Sequence, residues 1–396
     1  MSDGFDSQAT GGLNRRAFLS VGALPLVAAA GATEFGSERA TRRRSVQSTI
    51  RVGIIGAGAN VRNVMLPALR RIAGCEIVAV ANRSLESSQR VTDEFDIPRP
   101  YGGWEELLDD DGVDAVLIGT WPYMHRTVTL ATLEAGKHVL CQARMANTGQ
   151  EARDMLEASL RHPELVSQLV PTSTSYRIDN VIKRLIGEGY LGEVLSVEIQ
   201  RLQTGDRTGP GGFADTGGDL SWRHDRQFSG MNSLNIGSTK ESMMRWLGRG
   251  TRVMAMSKVH VPYRYNNRGQ LTSVTIPDHV DIMYELMNGA QVHMRFSAST
   301  GLSNGNQTWI YGTEGTLHVD ERMNVFAGRQ GDSELSPVPN PRGEQAYSRV
   351  EEEFINAIRG IEEITMVPFE TGVHYMEFTE AVYRSAQTGE AVYLPL

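Results

Sequence analysis

The run Gly56-Ala57-Gly58-Ala59-Asn60-Val61 is the part of this sequence whose residue types and spacing point most directly to chemistry. It follows the apolar run IRVGII and opens an amphipathic stretch over residues 61–73. A glycine-rich turn between a strand and a helix presents backbone N–H groups and a helix N-terminus to a pyrophosphate. Gly56 permits the tight turn, Gly58 lets backbone approach phosphate, and Ala59 and Asn60 stand where the helix begins. The third glycine position holds Val61, whose branched side chain is expected to push the helix away from the strand. The second strand ends in Ala81-Asn82-Arg83-Ser84. An acid there would bind ribose hydroxyls, whereas an arginine accommodates a 2′-phosphate. Asn82, Arg83 and Ser84 are therefore the expected contacts at the adenosine end, and NADP is favoured over NAD.

These residues need a scaffold, and hydrophobic patterning supplies one. From Ile50, short apolar runs (IRVGII, EIVAVA, DAVLIG, HVLC) alternate with amphipathic stretches at residues 61–73, 85–95 and 124–135. Apolar runs between helices imply a parallel sheet covered on both faces. After about residue 170 the period changes to that of strands: GEVLSVEIQRL, TRVMAMSKVHV, HVDIMYELM, AQVHMRFSA, TWIYG and TLHVD. Asn288-Gly289 between two of them is a hairpin turn. In that hairpin Val280, Ile282, Tyr284 and Leu286 alternate with Asp281, Met283, Glu285 and Met287, giving one face for helices and one Met-bearing face for a possible second subunit. Helices are expected at residues 349–359 and 373–386. The fold class is α/β: an N-terminal Rossmann dinucleotide-binding domain over residues 50–170, then an α+β substrate and oligomerisation domain over 171–396 with a large open, mostly antiparallel sheet.

The chain has 396 residues, 40% hydrophobic and 22% charged, with a net charge of −8. That is the composition of a soluble globular protein, and the acidic surplus argues against a nucleic-acid or anionic-membrane binder. Cys75 and Cys141 fall at opposite edges of the expected sheet, too far apart for a disulfide, and neither has a metal-binding spacing, so no metal is expected. Residues 1–32 read as a targeting segment: Asn14-Arg15-Arg16-Ala17-Phe18-Leu19 is a twin-arginine pattern, a short apolar run follows, and Ala30-Gly31-Ala32 offers a cleavage site. The run is too short for a permanent span, so no stable membrane insertion is expected. Residues 33–49 read as a linker or arm. Export by the twin-arginine route to the periplasm or cell exterior implies a nucleotide held tightly, because no free pool exists there to exchange with.

From Tyr101 to Ala146 the sequence resembles the glucose-fructose oxidoreductase / inositol dehydrogenase (Gfo/Idh/MocA) family. The resemblance is carried by Trp104-Glu105-Glu106-Leu107-Leu108, Asp114-Ala115-Val116, Thr120 through His125 and Leu133 through Cys141. Further matches are Trp222-Arg223, Gly230 through Gly248, Tyr311 through Leu317 and Ala381 through Ser385. The resemblance implies nicotinamide-dependent chemistry on sugars and cyclitols, with Thr120, Trp121, His125 and Gln142 beside the cofactor. The departures fall on the chemistry. The family's Glu-Lys-Pro reads Gln142-Ala143-Arg144, and its Asp-x-Gly-x-His reads Asn235-Ile236-Gly237-Ser238-Thr239. Asn235 and Thr239, at i and i+4 on one helical face, stand where relatives place Asp and His. An amide does not titrate and a threonine hydroxyl is a poor base, so the usual proton path is missing.

Several residues could replace that path. Arg144 could hold a carboxylate, phosphate or enolate oxygen as a fixed cation. Lys240 lies about 100° around the helix from Thr239 and could reach the site with its long stem. His125 is the surviving acid/base candidate beside the nicotinamide. Tyr123, Tyr176, Arg177, Trp222, Arg223 and His224 are expected to face substrate. Three activities fit: an oxidoreductase on a carbohydrate-like small molecule with rearranged acid/base groups, a redox-neutral lyase or glycosidase using bound nucleotide, or a non-catalytic binding protein. By analogy with similar proteins a homodimer or homotetramer is expected.

Overall fold

The four apolar runs become adjacent strands of one parallel sheet in the computed structural model, which describes residues 49–171, 175–202 and 219–396. The targeting segment expected at 1–32 and all of the expected arm except Thr49 lie outside the described residues. The strands are β1 (Ile50–Ile55), β2 (Cys75–Ala81), β3 (Arg99–Tyr101), β4 (Ala115–Ile118), β5 (His138–Cys141) and β6 (Ser167–Leu169). They lie in the order β3-β2-β1-β4-β5-β6. Winding proceeds outward from β1 to β3 and then restarts on the other side at β4. The connections therefore diverge at the carboxyl ends of β1 and β4, opening a crevice there. Helices cover both faces, as the fully buried side chains of Ile54, Val80, Leu117 and Leu140 on one face and of Ala79, Val116, Ile118 and Val139 on the other require.

The helix expected over 61–73 opens as a wider π-helical turn, Val61–Met65, before an α-helical turn, Leu66–Leu69. Ser84 caps the helix Leu85–Phe95 by accepting the Ser87 N–H.

The second sheet has nine strands. In chain order they are β7 (Val194–Leu202), β8 (Gly250–Lys258), β11 (His279–Leu286), β12 (Gln291–Ser297), β13 (Gln307–Gly312), β14 (Gly315–Val319), β15 (Val325–Arg329), β16 (Ser336–Pro337) and β17 (Val392–Tyr393). A separate ribbon of β9 (Tyr263–Tyr265) and β10 (Leu271–Ser273) falls between β8 and β11. The nine-strand order is β16-β15-β14-β13-β7-β12-β11-β8-β17, antiparallel throughout except at β7–β12. Gly289 sits at a φ of 87° in the β11–β12 turn, the left-handed conformation that glycine tolerates. Val280, Ile282, Tyr284 and Leu286 are buried against helices, while Met254, Met256 and Met283 are exposed on the opposite face.

The last helices return to the first domain. Val350–Ile358 contributes Val350, Phe354 and Ile355 to the core on one face of the parallel sheet. The 20-residue helix Phe369–Thr388 gives Phe369, Tyr375 and Met376 to the core on the other face. The same helix gives Phe378, Ala381 and Val382 to the core of the second sheet. Both cysteines are free; Cys141 is buried, and burial pushes the Cys75 thiol up to about 12.

Candidate active site at the carboxyl ends of the first sheet

At the end of β1, Gly56 adopts a φ of 87°, and a Cβ there would stand 2.7 Å from the Thr120 N. This close approach joins the glycine turn to the end of β4, at the crevice between the two strands. Gly58 has open space instead, with only the Gly119 carbonyl oxygen 3.9 Å from where its Cβ would be. Val61 does not obstruct the turn. It is buried, and its Cγ2 occupies the place that a Cβ on Gly119 would need. The missing third glycine is thus compensated by a glycine on the neighbouring strand end and by the wide first helical turn. The turn fits a pyrophosphate: its backbone is accessible at Gly58, and a helix starts immediately behind it.

Asn82 supports this turn from below. Its Oδ1 accepts the Ala57 N–H at 2.8 Å, and its Nδ2 donates to the Ser87 carbonyl at 3.0 Å. Ser84 is likewise committed to its helix cap, while Arg83 is exposed and has no hydrogen-bond or ion-pair partner among the described residues. On the far side of the turn, Asn60 Nδ2 donates to Gln142 Oε1 at 3.2 Å, and Gln142 Nε2 contacts the Met65 sulfur.

Beyond the strand ends lies a cavity of about 330 Å³ bounded by Arg144, Arg223, His224, Asn235, Arg264 and Asp278, with apolar walls at Val261, Val274 and Ile276. Arg144 reaches it past Gly237, where a Cβ would lie 3.3 Å from the Arg144 Cδ. Next to Arg223 four aromatic rings group together. Trp121 stacks on Trp222 at 5.8 Å, and Phe228 meets Trp121 edge-on at 5.1 Å and Tyr123 at 5.4 Å. The Arg223 guanidinium lies 4.5 Å over Trp222, which links the rings to the cavity. Inside, His224 Nδ1 accepts the Ser221 N–H at 3.0 Å, so a neutral ring carries its proton on Nε2.

Two models of one family match the chain: "Oxidoreductase family, NAD-binding Rossmann fold" over residues 50–168 and "GFO/IDH/MocA C-terminal domain" over residues 180–318. Together they span more than half of it. The chain belongs to the GFO/IDH/MocA oxidoreductase family. It is 27% identical over 280 residues to levoglucosan dehydrogenase of Pseudarthrobacter phenanthrenivorans, covering 65% of this chain and 69% of that enzyme. It is 31% identical over 153 residues to inositol 2-dehydrogenase/D-chiro-inositol 3-dehydrogenase of Halalkalibacterium halodurans. That match covers 38% of this chain and less than half of the relative, 43%. In fold it is similar to levoglucosan dehydrogenase in complex with NADH and levoglucosan, with a TM-score of 0.74 at 22% identity, covering 88% of this chain and 100% of that one.

Within this GFO/IDH/MocA member, the expected site residues divide into those the fold gathers and those it sends elsewhere. Arg144, Arg223, His224 and Asn235 share the cavity, whereas Tyr123, Trp121 and Trp222 group together and meet it only through Arg223 over Trp222. Thr239 faces an adjoining cavity of about 210 Å³ that Asn235 also borders. His125 is sealed off. It is fully buried, its Nε2 lies 3.0 Å from the Thr120 carbonyl, and its Nδ1 lies 3.0 and 3.2 Å from the Arg144 and Met145 carbonyls. Burial pushes its basicity down, and both ring nitrogens face backbone oxygens, so it clamps the two loops instead of serving as acid or base. Lys240 is 1% exposed and turned into the core of the second sheet, with Nζ 4.3 Å over the Tyr284 ring and 5.0 Å over Phe378. Tyr176 is buried beneath the Arg245 guanidinium, and Arg177 donates to the Arg322 and Met323 carbonyls on the surface. Neither lines the cavity. Asn82 and Ser84 hold the nucleotide turn and its neighbouring helix instead of presenting side chains to adenosine. Arg264 is the site residue that sequence reasoning passed over. Its signal was the run Tyr263-Arg264-Tyr265, in which the charged residue takes the inward register.

Proposed function

We propose that this chain is an NAD(P)-dependent oxidoreductase acting on a sugar, cyclitol or related carbohydrate. The observation that carries this reading is the glycine turn locked against Gly119–Thr120, with Gly58 left open for a nucleotide in a chain of the GFO/IDH/MocA family. Bound nucleotide would supply hydride transfer. The chain's own residues would seat and orient the substrate: Trp121, Trp222 and Tyr123 offer apolar faces to the C–H edges of a sugar ring, and Asn235 offers an amide to its hydroxyls. The usual lysine is Ala143 here, and Asn235 and Thr239 do not titrate near neutrality. His224, with its neutral-ring proton on Nε2, would then donate to a substrate carbonyl oxygen, which suits carbonyl reduction better than proton removal from an alcohol. Exposed Arg83 favours NADP over NAD.

We further infer export by the twin-arginine route with the nucleotide held tightly, and self-association through the exposed Met254, Met256 and Met283 face. The lost acid/base set equally supports a redox-neutral lyase or glycosidase that oxidises and re-reduces its substrate within one cycle. Purified protein is expected to carry nucleotide detectable by absorbance and mass, and to rebind it after stripping. Absence of both leaves a non-catalytic binding protein. If nucleotide is present, stoichiometric reduction or oxidation by a sugar supports the first activity, and glycoside cleavage without net redox change supports the second.

A further inference from the structure

Arg264 occupies the middle of the ribbon strand β9, where its neighbours Tyr263 and Tyr265 are exposed and it alone is buried, at 5% exposure. A two-stranded ribbon laid on a protein surface normally turns apolar side chains inward and polar ones to water. Here that order is reversed. The guanidinium faces the 330 Å³ cavity, its Nη1 is buried without a hydrogen-bond partner, and no ion pair engages it among the described residues. A buried cation of this kind is costly unless an anion meets it.

Among the described residues the cavity lining provides no such anion. The one carboxylate among its described lining residues, Asp278, is turned onto the adjoining loop. There its oxygens accept the His260 N–H at 2.9 and 3.0 Å, the His260 Nδ1 at 3.1 Å and the Val261 N–H at 2.8 Å. Arg144 and Arg223 enter the same cavity from the first-domain loop and from the Trp222–His224 turn. Three guanidinium groups from three separate segments thus border one space with apolar walls, where charge is weakly screened.

We propose that this cavity seats an oxyanion carried by the substrate, a carboxylate or phosphate on a sugar-sized molecule, with Arg264 as its main partner. A volume of about 330 Å³ suits a monosaccharide with one such group. Guanidinium forks match both oxyanions bidentately, so the two sources share one chemistry. The inference refines the oxidoreductase reading by giving its substrate a charge, but it also stands if the chain only binds.

The test is calorimetric titration of the full chain with D-glucuronate, D-glucose 6-phosphate, inorganic phosphate and neutral D-glucose. At least one sugar anion is expected to bind ten-fold or more tightly than glucose, with affinity falling as salt rises. The winner distinguishes carboxylate from phosphate. Arg264→Met is expected to lower that affinity ten- to hundred-fold while keeping or raising the thermal midpoint of the unliganded protein, and Arg264→Lys to recover part of it. Equal binding of neutral and anionic sugars, no binding of any anion, or an Arg264→Met variant with parental affinity would overturn the proposal. Nucleotide titration is run separately. Nucleotide binding without anion binding removes this inference and spares the oxidoreductase, whereas the converse removes the oxidoreductase and spares the anion site.

Discussion

Replacing Lys240 by Met should make the protein more stable, and by an amount that depends on pH. The ammonium lies 1% exposed between Tyr284 and Phe378, and neither its Nζ nor the Tyr284 hydroxyl has a hydrogen-bond partner among the described residues. Burial lowers its pKa from 10.5 to about 7. At about 1.4 kcal/mol for each pH unit, that depression corresponds to a penalty of roughly 5 kcal/mol on the charged form. Below pH 7 the lysine is charged in both folded and unfolded states, and the cost is borne in full. Between about pH 7 and 10.5 the folded lysine loses its proton while the unfolded chain keeps it, so the parent gains stability as pH rises. Methionine fills a similar volume with no charge at any pH. Urea denaturation of parent and Lys240→Met at pH 6, 8 and 10 should therefore show the variant ahead by up to about 5 kcal/mol at pH 6 and the gap narrowing by about 1.4 kcal/mol for each pH unit above 7. Catalytic turnover, if present, should survive the change. A variant less stable than the parent at pH 6, or a gap that does not move with pH, would refute the placement of an unpaired ammonium in this core.

Three further outcomes test the nucleotide turn. Asn82→Ala removes the acceptor for the Ala57 N–H and should weaken nucleotide binding about ten-fold by titration, at a stability cost of about 1 kcal/mol. Gly119→Ala would place a Cβ against Val61 Cγ2 and the Gly56 carbonyl oxygen. It should lower stability by about 2–3 kcal/mol in chemical denaturation and weaken nucleotide affinity with it. Arg83→Ala should reduce affinity for NADP several-fold and leave NAD unchanged; equal losses for both would remove Arg83 from the 2′-phosphate.

The inner strands were legible because burial on both faces writes them as unbroken apolar runs, and the Asn288-Gly289 hairpin because a left-handed turn restricts its residues. The three-residue strands β3, β6, β9 and β10 are too short to display a period. At the site, the family resemblance placed Arg144, Arg223 and Asn235 near one another but could not orient long side chains. Lys240, only one residue past Thr239, turns inward on the helix Ile236–Leu247 instead of toward the cavity. His125 lies beside the cavity loop, yet its role depends on the Arg144 and Met145 carbonyls almost twenty residues later in the chain. Val61 looked like a defect in the turn because the compensating Gly119 belongs to a different strand end.

The helix Phe369–Thr388 lends side chains to the cores of both domains, so neither core is complete until this helix has been made. Synthesis and folding are thereby put in strict sequence. A chain truncated anywhere before residue 369 lacks part of both domains at once, and quality-control proteases would meet it as a wholly unfinished molecule.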